Sequence, residues 1–363
     1  MITSTSTIQV TAVALALSLF LNTEITLADP WETIYPAGDT SCANGEDYLF
    51  HVRAAAPDKV MIYFNGGGAC WNGPMCDPAN SNSDIKKGMI YRTQPTAEYG
   101  NDPRILDGAF ALDNPQNPFR DWTQVFVTYC TGDVHLGASD TLYQKQDGSD
   151  LTIRHRGRAN SQAVLDYIAD TYPSLRKVFV TGGSAGGIAA PFYAAEVAGR
   201  FPEADILHLS GGSGGYRLPA AQTMLWDTWG AFNDMPTWFD TDRYTAKNTR
   251  LIDFYFAAAE ASPGIRFHQY DSAYDWAQVL FVKFLSGEEV QLYLPLKQNQ
   301  AELSAGLPYI RSYTTPGRFH TVLRFDELYT REVGGVPAVE WIGDILEGKP
   351  VVNVDCGSSA DCR

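Results

Sequence analysis

Short apolar runs, each closing on glycine or polar turn residues, recur along the chain. Residues 59–65 (KVMIYFN) are β-branched and aromatic and stop at three glycines, and residues 124–129 (QVFVTY) form a second such run before a turn. Continuous apolar runs of this length predict strands buried on both faces, as in a parallel sheet. Over residues 160–172 the period changes. Ala163, Val164, Tyr167 and Ile168 recur at helical spacing and Pro173 lies just beyond, which predicts a helix. Residues 177–181 (KVFVT) predict the next strand, 182–187 a tight turn, and 188–199 a second helix. Three further runs, 206–209, 265–270 and 309–313, complete the series. Strands alternating with helical or irregular stretches predict an α/β fold: a mainly parallel sheet flanked by helices.

Two stretches do not follow this alternation. Residues 79–119 are rich in Asn, Asp and Pro, and residues 219–248 carry Trp226, Trp229, Trp238 and Phe239 among polar neighbours. They read as loop insertions over the sheet, the usual place for a substrate cleft. Residues 10–21 (VTAVALALSLFL) form a twelve-residue apolar run, too short to span a bilayer, and the small residues around Ala28 precede Asp29. This predicts an export signal over residues 1–28, although the start Met amine is the only positive charge ahead of the run. No other segment is apolar enough to span a membrane. With no repeat, linker or composition break after the signal, residues 29–363 are expected to form a single domain, secreted or periplasmic.

Composition narrows the partners. The 363 residues include 27 Lys and Arg against 42 Asp and Glu, a net charge of −15, so nucleic acid and anionic membrane surfaces are repelled at long range. The six cysteines, Cys42, Cys70, Cys76, Cys130, Cys356 and Cys362, are an even number in a chain expected to be exported, which predicts three disulfides. Cys70 with Cys76 and Cys356 with Cys362 are close enough for local staples. No Cys-x-x-Cys pair or matching His spacing points to a metal site. A monomer is the default oligomeric state.

The chemistry sits after the 177–181 strand. Gly182-Gly183-Ser184-Ala185-Gly186 fits G-x-S-x-G between a strand and a helix, the context of a nucleophile elbow. No Lys follows the serine as a phosphate-binding loop would require. A serine hydroxyl needs an imidazole to take its proton, and the imidazole needs an orienting carboxylate. In α/β-hydrolases these follow in the order Ser, acid, His. Of the histidines after Ser184, His208 and His268 lie within strands, whereas His320 lies in a loop after the last strand and is the expected base. The segment His268-Gln269-Tyr270-Asp271-Ser272-Ala273-Tyr274-Asp275 offers two acids, Asp271 at the strand end and Asp275 at the start of a helix. Spacing alone leaves both open, and the one not used is expected to stabilise the helix N-terminus.

Acyl transfer also needs N–H donors for the developing oxyanion. Ala185, after the nucleophile, is one. Asn65-Gly66-Gly67-Gly68-Ala69-Cys70 follows an early strand, where esterases and lipases carry their second donor, and Gly68 and Ala69 are the candidates.

Three segments together, Gly66-Gly67-Gly68-Ala69-Cys70, Tyr129-Cys130-Thr131-Gly132 and Gly183-Ser184-Ala185-Gly186-Gly187, make the chain similar to the pectin acetylesterase and Notum family of secreted α/β-hydrolases. Tyr274-Asp275-Trp276-Ala277-Gln278 is similar to the family's Asp-x-x-Gln acid segment, and His320 follows in the expected order. The resemblance implies a carboxylesterase with an α/β-hydrolase fold and no metal or cofactor, with Ser184 as nucleophile, Asp275 as acid and His320 as base. It also implies a carbohydrate ester as substrate, most directly O-acetyl groups on a pectin-like polysaccharide. The chain departs from the family in two places: Ala69 stands where Gly-Gly-Gly-Trp-Cys has Trp, and Gly132-Asp133-Val134-His135 replaces the loop usual in plant members. Other readings are a lipid or polyester hydrolase, with the aromatic 219–239 stretch walling an acyl tunnel, a serine peptidase, and an inactive sugar-binding relative.

Overall fold

Along the strand at residues 56–64, Val60, Ile62 and Phe64 join one core and Met61 and Tyr63 another. Successive side chains of a strand point to opposite faces, so an unbroken apolar run requires a covered layer on each side. The computed structural model describes Met1 and residues 30–79 and 90–363; the rest of the expected export signal lies outside them. Trp31–Arg363 forms one compact unit.

The strands are β1 (Glu32–Ile34), β2 (Phe50–Arg53), β3 (Ala56–Phe64), β4 (Trp122–Val127), a hairpin of β5 (Ser139–Gln144) and β6 (Asp150–His155), β7 (Lys177–Gly183), β8 (Asp205–Gly211), β9 (Arg266–Ser272), β10 (Arg311–Thr315), a short pair β11 (Glu332–Val333) and β12 (Val336–Pro337), and β13 (Val354–Asp355). Nine of them form one sheet in the order β1-β2-β4-β3-β7-β8-β9-β10-β13. β2 is antiparallel to both β1 and β4, and every other neighbouring pair is parallel. The helices are α1 (Gly73–Cys76), α2 (Gly157–Thr171), α3 (Ala185–Arg200), α4 (Pro219–Trp229), α5 (Asp253–Ala261), α6 (Trp276–Ser286), α7 (Tyr293–Gly306), α8 (Glu327–Thr330) and α9 (Ala338–Glu347). This is the mainly parallel sheet expected from the alternation, in the α/β-hydrolase-like arrangement that the resemblance implies.

One face of the sheet packs against α2 through Val164, Leu165 and Ile168 and against α3 through Phe192 and Tyr193, with the Tyr193 ring stacked on Phe64 at 4.6 Å. The other face takes Trp341, Ile342 and Ile345 of α9. Their i, i+1, i+4 spacing makes one apolar stripe. Inside α3, Pro191 has no N–H to give the Gly187 carbonyl one turn earlier. The Ser210 hydroxyl of β8 donates to that carbonyl instead, at 2.6 Å, so the proline leaves no buried acceptor unmet. No helix among the described residues is long and apolar enough to cross a membrane.

All six cysteines are paired. Cys70–Cys76 and Cys356–Cys362 are the local staples, and Cys42–Cys130 joins residues 88 apart, tying the segment before β2 to the loop after β4.

Candidate active site

The loops after β3, β7, β9 and β10 all leave the sheet at the carboxyl ends of parallel strands, where open α/β sheets bind ligands. After β7 the chain reverses sharply at Ser184, whose φ of 56° and ψ of −122° lie where side-chain-bearing residues rarely go. Such a backbone costs about 1–3 kcal/mol and persists only when its surroundings fix it. Here the Ser184 N–H donates to Gly211 O at 2.8 Å and its carbonyl accepts the first bond of α3 from Ile188. The turn also needs close approach. A Cβ on Gly186 would lie 1.9 Å from Phe64 O, and one on Gly66 would lie 2.8 Å from the Ser184 Cβ. The glycines of the motif thus let the β3 loop touch the elbow.

Asp275 caps α6: its Oδ1 accepts the N–H groups of Ala277 (2.9 Å) and Gln278 (3.2 Å). Its Oδ2 accepts from His320 Nδ1 at 2.7 Å and from Gln278 Nε2 at 3.1 Å, and the side chain is fully buried. A carboxylate can only accept, so His320 carries its proton on Nδ1 and keeps a lone pair on Nε2. The Trp276 ring meets His320 edge-on at 6.0 Å between centroids. Ser184 and His320 line one cavity of about 270 Å³. No direct hydrogen bond joins them, the looser spacing that unliganded sites often show.

Asp271 does not stabilise the helix N-terminus as expected of the second acid. Asp275 supplies that cap itself while holding His320. Asp271, on β9 and four residues further from α6, turns toward the end of β8, where it accepts the N–H groups of Ser213 and Gly214 (both 2.9 Å) and Gln278 Nε2 (3.0 Å). Burial pushes its carboxyl up to about 7; the Gly214 N–H opposes this and the nearby Asp275 charge adds to it. Gln278 therefore bridges both acids. His208 and His268 are buried strand residues, His268 bonded through Nδ1 to the His208 carbonyl.

The loops carrying Asp275 and His320 are braced together. Tyr274 N–H donates to Gly317 O, Trp276 N–H to Arg318 O, and Gly317 N–H to Cys362 O at 2.8 Å. Tyr274 also reaches Ser359 O through its hydroxyl, at 2.8 Å. The Cys356–Cys362 staple thus anchors both loops.

The glycine loop is held from below. The Asn65 amide donates to Asn101 Oδ1 (2.7 Å), and Asn65 O faces His135 Nε2 at 2.8 Å. A carbonyl can only accept, so His135 donates there, and burial keeps it neutral, with its pKa lowered to about 4. Gly68, at φ +81°, forms a bridge with Tyr91, and a Cβ on it would fall 1.9 Å from Ile90 O. That bridge corrects one expectation: the Ala69 N–H donates to Ile90 O at 3.3 Å and so is not free for an oxyanion. Among the described residues, no hydrogen bond uses the N–H of Gly67 or Gly68. The N–H of Ala185, the first residue of α3, has no acceptor within the helix. Among the described residues, the N–H groups left without an acceptor here are those of Gly67, Gly68 and Ala185, and a bridge to a segment distant in sequence is what the glycine spacing could not disclose.

Beside Ser184 a second, narrow cavity of about 40 Å³ opens under Trp71, Val134, Ile188 and Phe281 and is walled by Leu225, Trp226 and Trp229 of α4. The 219–248 insertion therefore lies over the site, and Val134 of the departing 132–135 loop lines it too. The Trp229 indole N–H donates to Cys70 O at 2.7 Å, fixing the wall to the disulfide after the glycine loop.

No curated protein matches the chain. A family model described as Pectinacetylesterase matches residues 33–242, a span that holds the glycine loop, the elbow and α4 and ends before Asp275 and His320. With more than half of its length matched, this chain belongs to the pectinacetylesterase family, a family of carboxylic ester hydrolases.

Proposed function

We propose that the chain is an exported single-domain serine esterase that removes short acyl groups, O-acetyl foremost, from a carbohydrate such as pectin. The observation that carries this is the 2.7 Å Asp275–His320 contact beside the cavity that also holds strained Ser184. His320 Nε2 takes the Ser184 proton as Oγ attacks the ester carbonyl. The carbonyl oxygen, now negative, faces the N–H groups of Gly67, Gly68 and Ala185, in a water-poor site where each such donor contributes about 2.7–4 kcal/mol. Collapse breaks the C–O bond to the sugar, whose oxygen receives the proton from His320, and leaves acyl-Ser184. Water then repeats the sequence, releasing the carboxylic acid and restoring the serine. Asp275 keeps the ring in the required tautomer and stabilises its protonated form.

Acyl size separates this reading from a lipid or polyester hydrolase. The aromatic wall that reading asks for exists in α4, yet the enclosed space is about 40 Å³. So narrow a slot favours a short acyl group such as acetyl over a long chain. Three disulfides accord with an oxidising compartment. The test is turnover of p-nitrophenyl acetate, butyrate and octanoate, with acetate release from acetylated pectin and xylan and Ser184→Ala as control. Fast acetate turnover lost in Ser184→Ala is the expected result; a preference for octanoate without acetate release overturns it.

A further inference from the structure

Two consecutive residues with side chains, Val134 and His135, hold left-handed backbone conformations, at φ of 51° and 62°. For a β-branched residue such as Val134 this is a true outlier, because its methyl groups crowd the backbone there. Such strain persists only where the surroundings fix it. Here they do. The Val134 N–H donates to the Tyr129 hydroxyl at 2.9 Å. On one side of it, the Asp133 carboxylate accepts the Thr131 hydroxyl (2.6 Å) and the N–H groups of His135 (3.1 Å) and Gly157 (2.7 Å). On the other side, the Tyr193 hydroxyl donates to the His135 carbonyl at 2.6 Å. Packing leaves the turn no room to relax: a Cβ on Gly157 would lie 2.6 Å from His135 Cα, and one on Gly137 would lie 2.3 Å from Asp133 Oδ2.

The unusual backbone of His135 has a use already, since its ring holds Asn65 O under the glycine loop. Val134 has only an isopropyl group, so its placement can supply shape and nothing else. That group is 4% exposed and lines the narrow slot beside Ser184, together with Gly68 and Ala69. We propose that Val134 is a specificity-determining residue, a stop clamped in the slot by the strained turn, which limits the length of the acyl group that Ser184 accepts. This rests on the esterase reading above, in which the slot takes the acyl group, and deepens it. A stop on a loose loop would yield to a longer chain, whereas one held by buried hydrogen bonds on both sides does not.

The test uses the intact, disulfide-bonded protein with p-nitrophenyl acetate, butyrate and hexanoate. One methylene in an apolar pocket changes discrimination about 10- to 200-fold, so Val134→Ala should raise the butyrate-to-acetate ratio of kcat/KM at least about tenfold. Val134→Ile, which adds a methyl group to the stop, should lower that ratio. Val134→Gly opens the slot further and adopts a φ of 51° without strain. It should therefore accept hexanoate and melt no lower than Val134→Ala, and it guards against misfolding of the alanine variant. Acetate esters of different alcohols form the control, because a merely structural defect slows every ester alike. An unchanged butyrate-to-acetate ratio in Val134→Ala and Val134→Gly, or a shift that follows the alcohol instead, overturns the stop, and a glycine variant that melts below the alanine one refutes the strained clamp. Binding of free acetate, butyrate and hexanoate, followed by the fluorescence of Trp71, Trp226 and Trp229 in the slot wall, keeps the two readings apart. A length shift in binding without ester turnover would support the stop and refute the esterase, whereas Ser184-dependent turnover with no length shift would do the reverse.

Discussion

Replacing Asp275 by Asn separates its two duties. The Asn oxygen can still accept the N–H groups of Ala277 and Gln278, so the α6 cap survives. Its NH₂, however, takes the place of the oxygen that accepts from His320 Nδ1. A donor there pairs only with an unprotonated Nδ1, which moves the imidazole proton to Nε2, the atom that must receive the Ser184 proton. The wrong tautomer costs about 10⁴ in kcat when geometry is otherwise intact, about 5 kcal/mol of barrier. Gln278 Nε2 loses one acceptor but keeps Asp271 Oδ1 at 3.0 Å, so the folding cost should be about 1 kcal/mol. Asp271→Asn changes nothing at His320 and should slow turnover less than about tenfold, under about 1.4 kcal/mol. Steady-state hydrolysis of p-nitrophenyl acetate, with thermal melts on the same samples, reads both. An Asp275→Asn rate within tenfold of wild type, or an Asp271→Asn rate below it, would refute the assignment of the acid.

The same contacts set the other expected outcomes. The buried Asp271 carboxyl, raised from 3.8 to about 7, keeps its proton in the fold over a range where the unfolded chain has released it. It therefore subtracts stability as pH rises from about 4 to about 7, and Asp271→Asn should gain on wild type across that window in urea titrations; a pH-independent difference would count against it. His135, His155 and His268, lowered by burial to about 4 from 6.5, act in the opposite sense, and wild type should lose stability as pH falls from about 6.5 to about 4. Gly68→Ala, whose Cβ would meet Ile90 O at 1.9 Å, should cut kcat by at least about 10² while KM for small esters moves little. Removing Cys42–Cys130, which closes 88 residues, should cost about 4–5 kcal/mol in denaturant titrations, roughly twice the cost of opening a six-residue staple.

Much of the fold is legible in the residue pattern alone. Strands buried on both faces announce themselves as unbroken apolar runs, and β3, β4 and β7 to β10 fall on the predicted segments within a few residues. The elbow is legible because strain there demands glycines at fixed offsets from Ser184. What escapes is set by partners distant in sequence. β1 and β13 are short edge strands and β2 a short strand beside β1, all made by pairing rather than pattern, and the β5–β6 hairpin alternates exposed positions with half-buried or buried ones without a strong apolar face. The Ala69 donor fails because residue 90 folds back onto the loop, and the twofold duty of Asp275 emerges only when His320 arrives from 45 residues away. The 132–135 loop departs from the family pattern yet still supports the site, because Asp133 binds Thr131, His135 and Gly157, and His135 holds Asn65.

The hold of Cys362 and Ser359 on the loops of His320 and Asp275 makes competence a late event in the life of the molecule. A chain halted before Cys356 would contain every reacting side chain yet lack the brace that aligns two of them. Because the Cys356–Cys362 bond needs an oxidising surrounding, the same frame stays open in a reducing cytoplasm. Alignment of the two loops would then follow formation of that bond in an oxidising compartment.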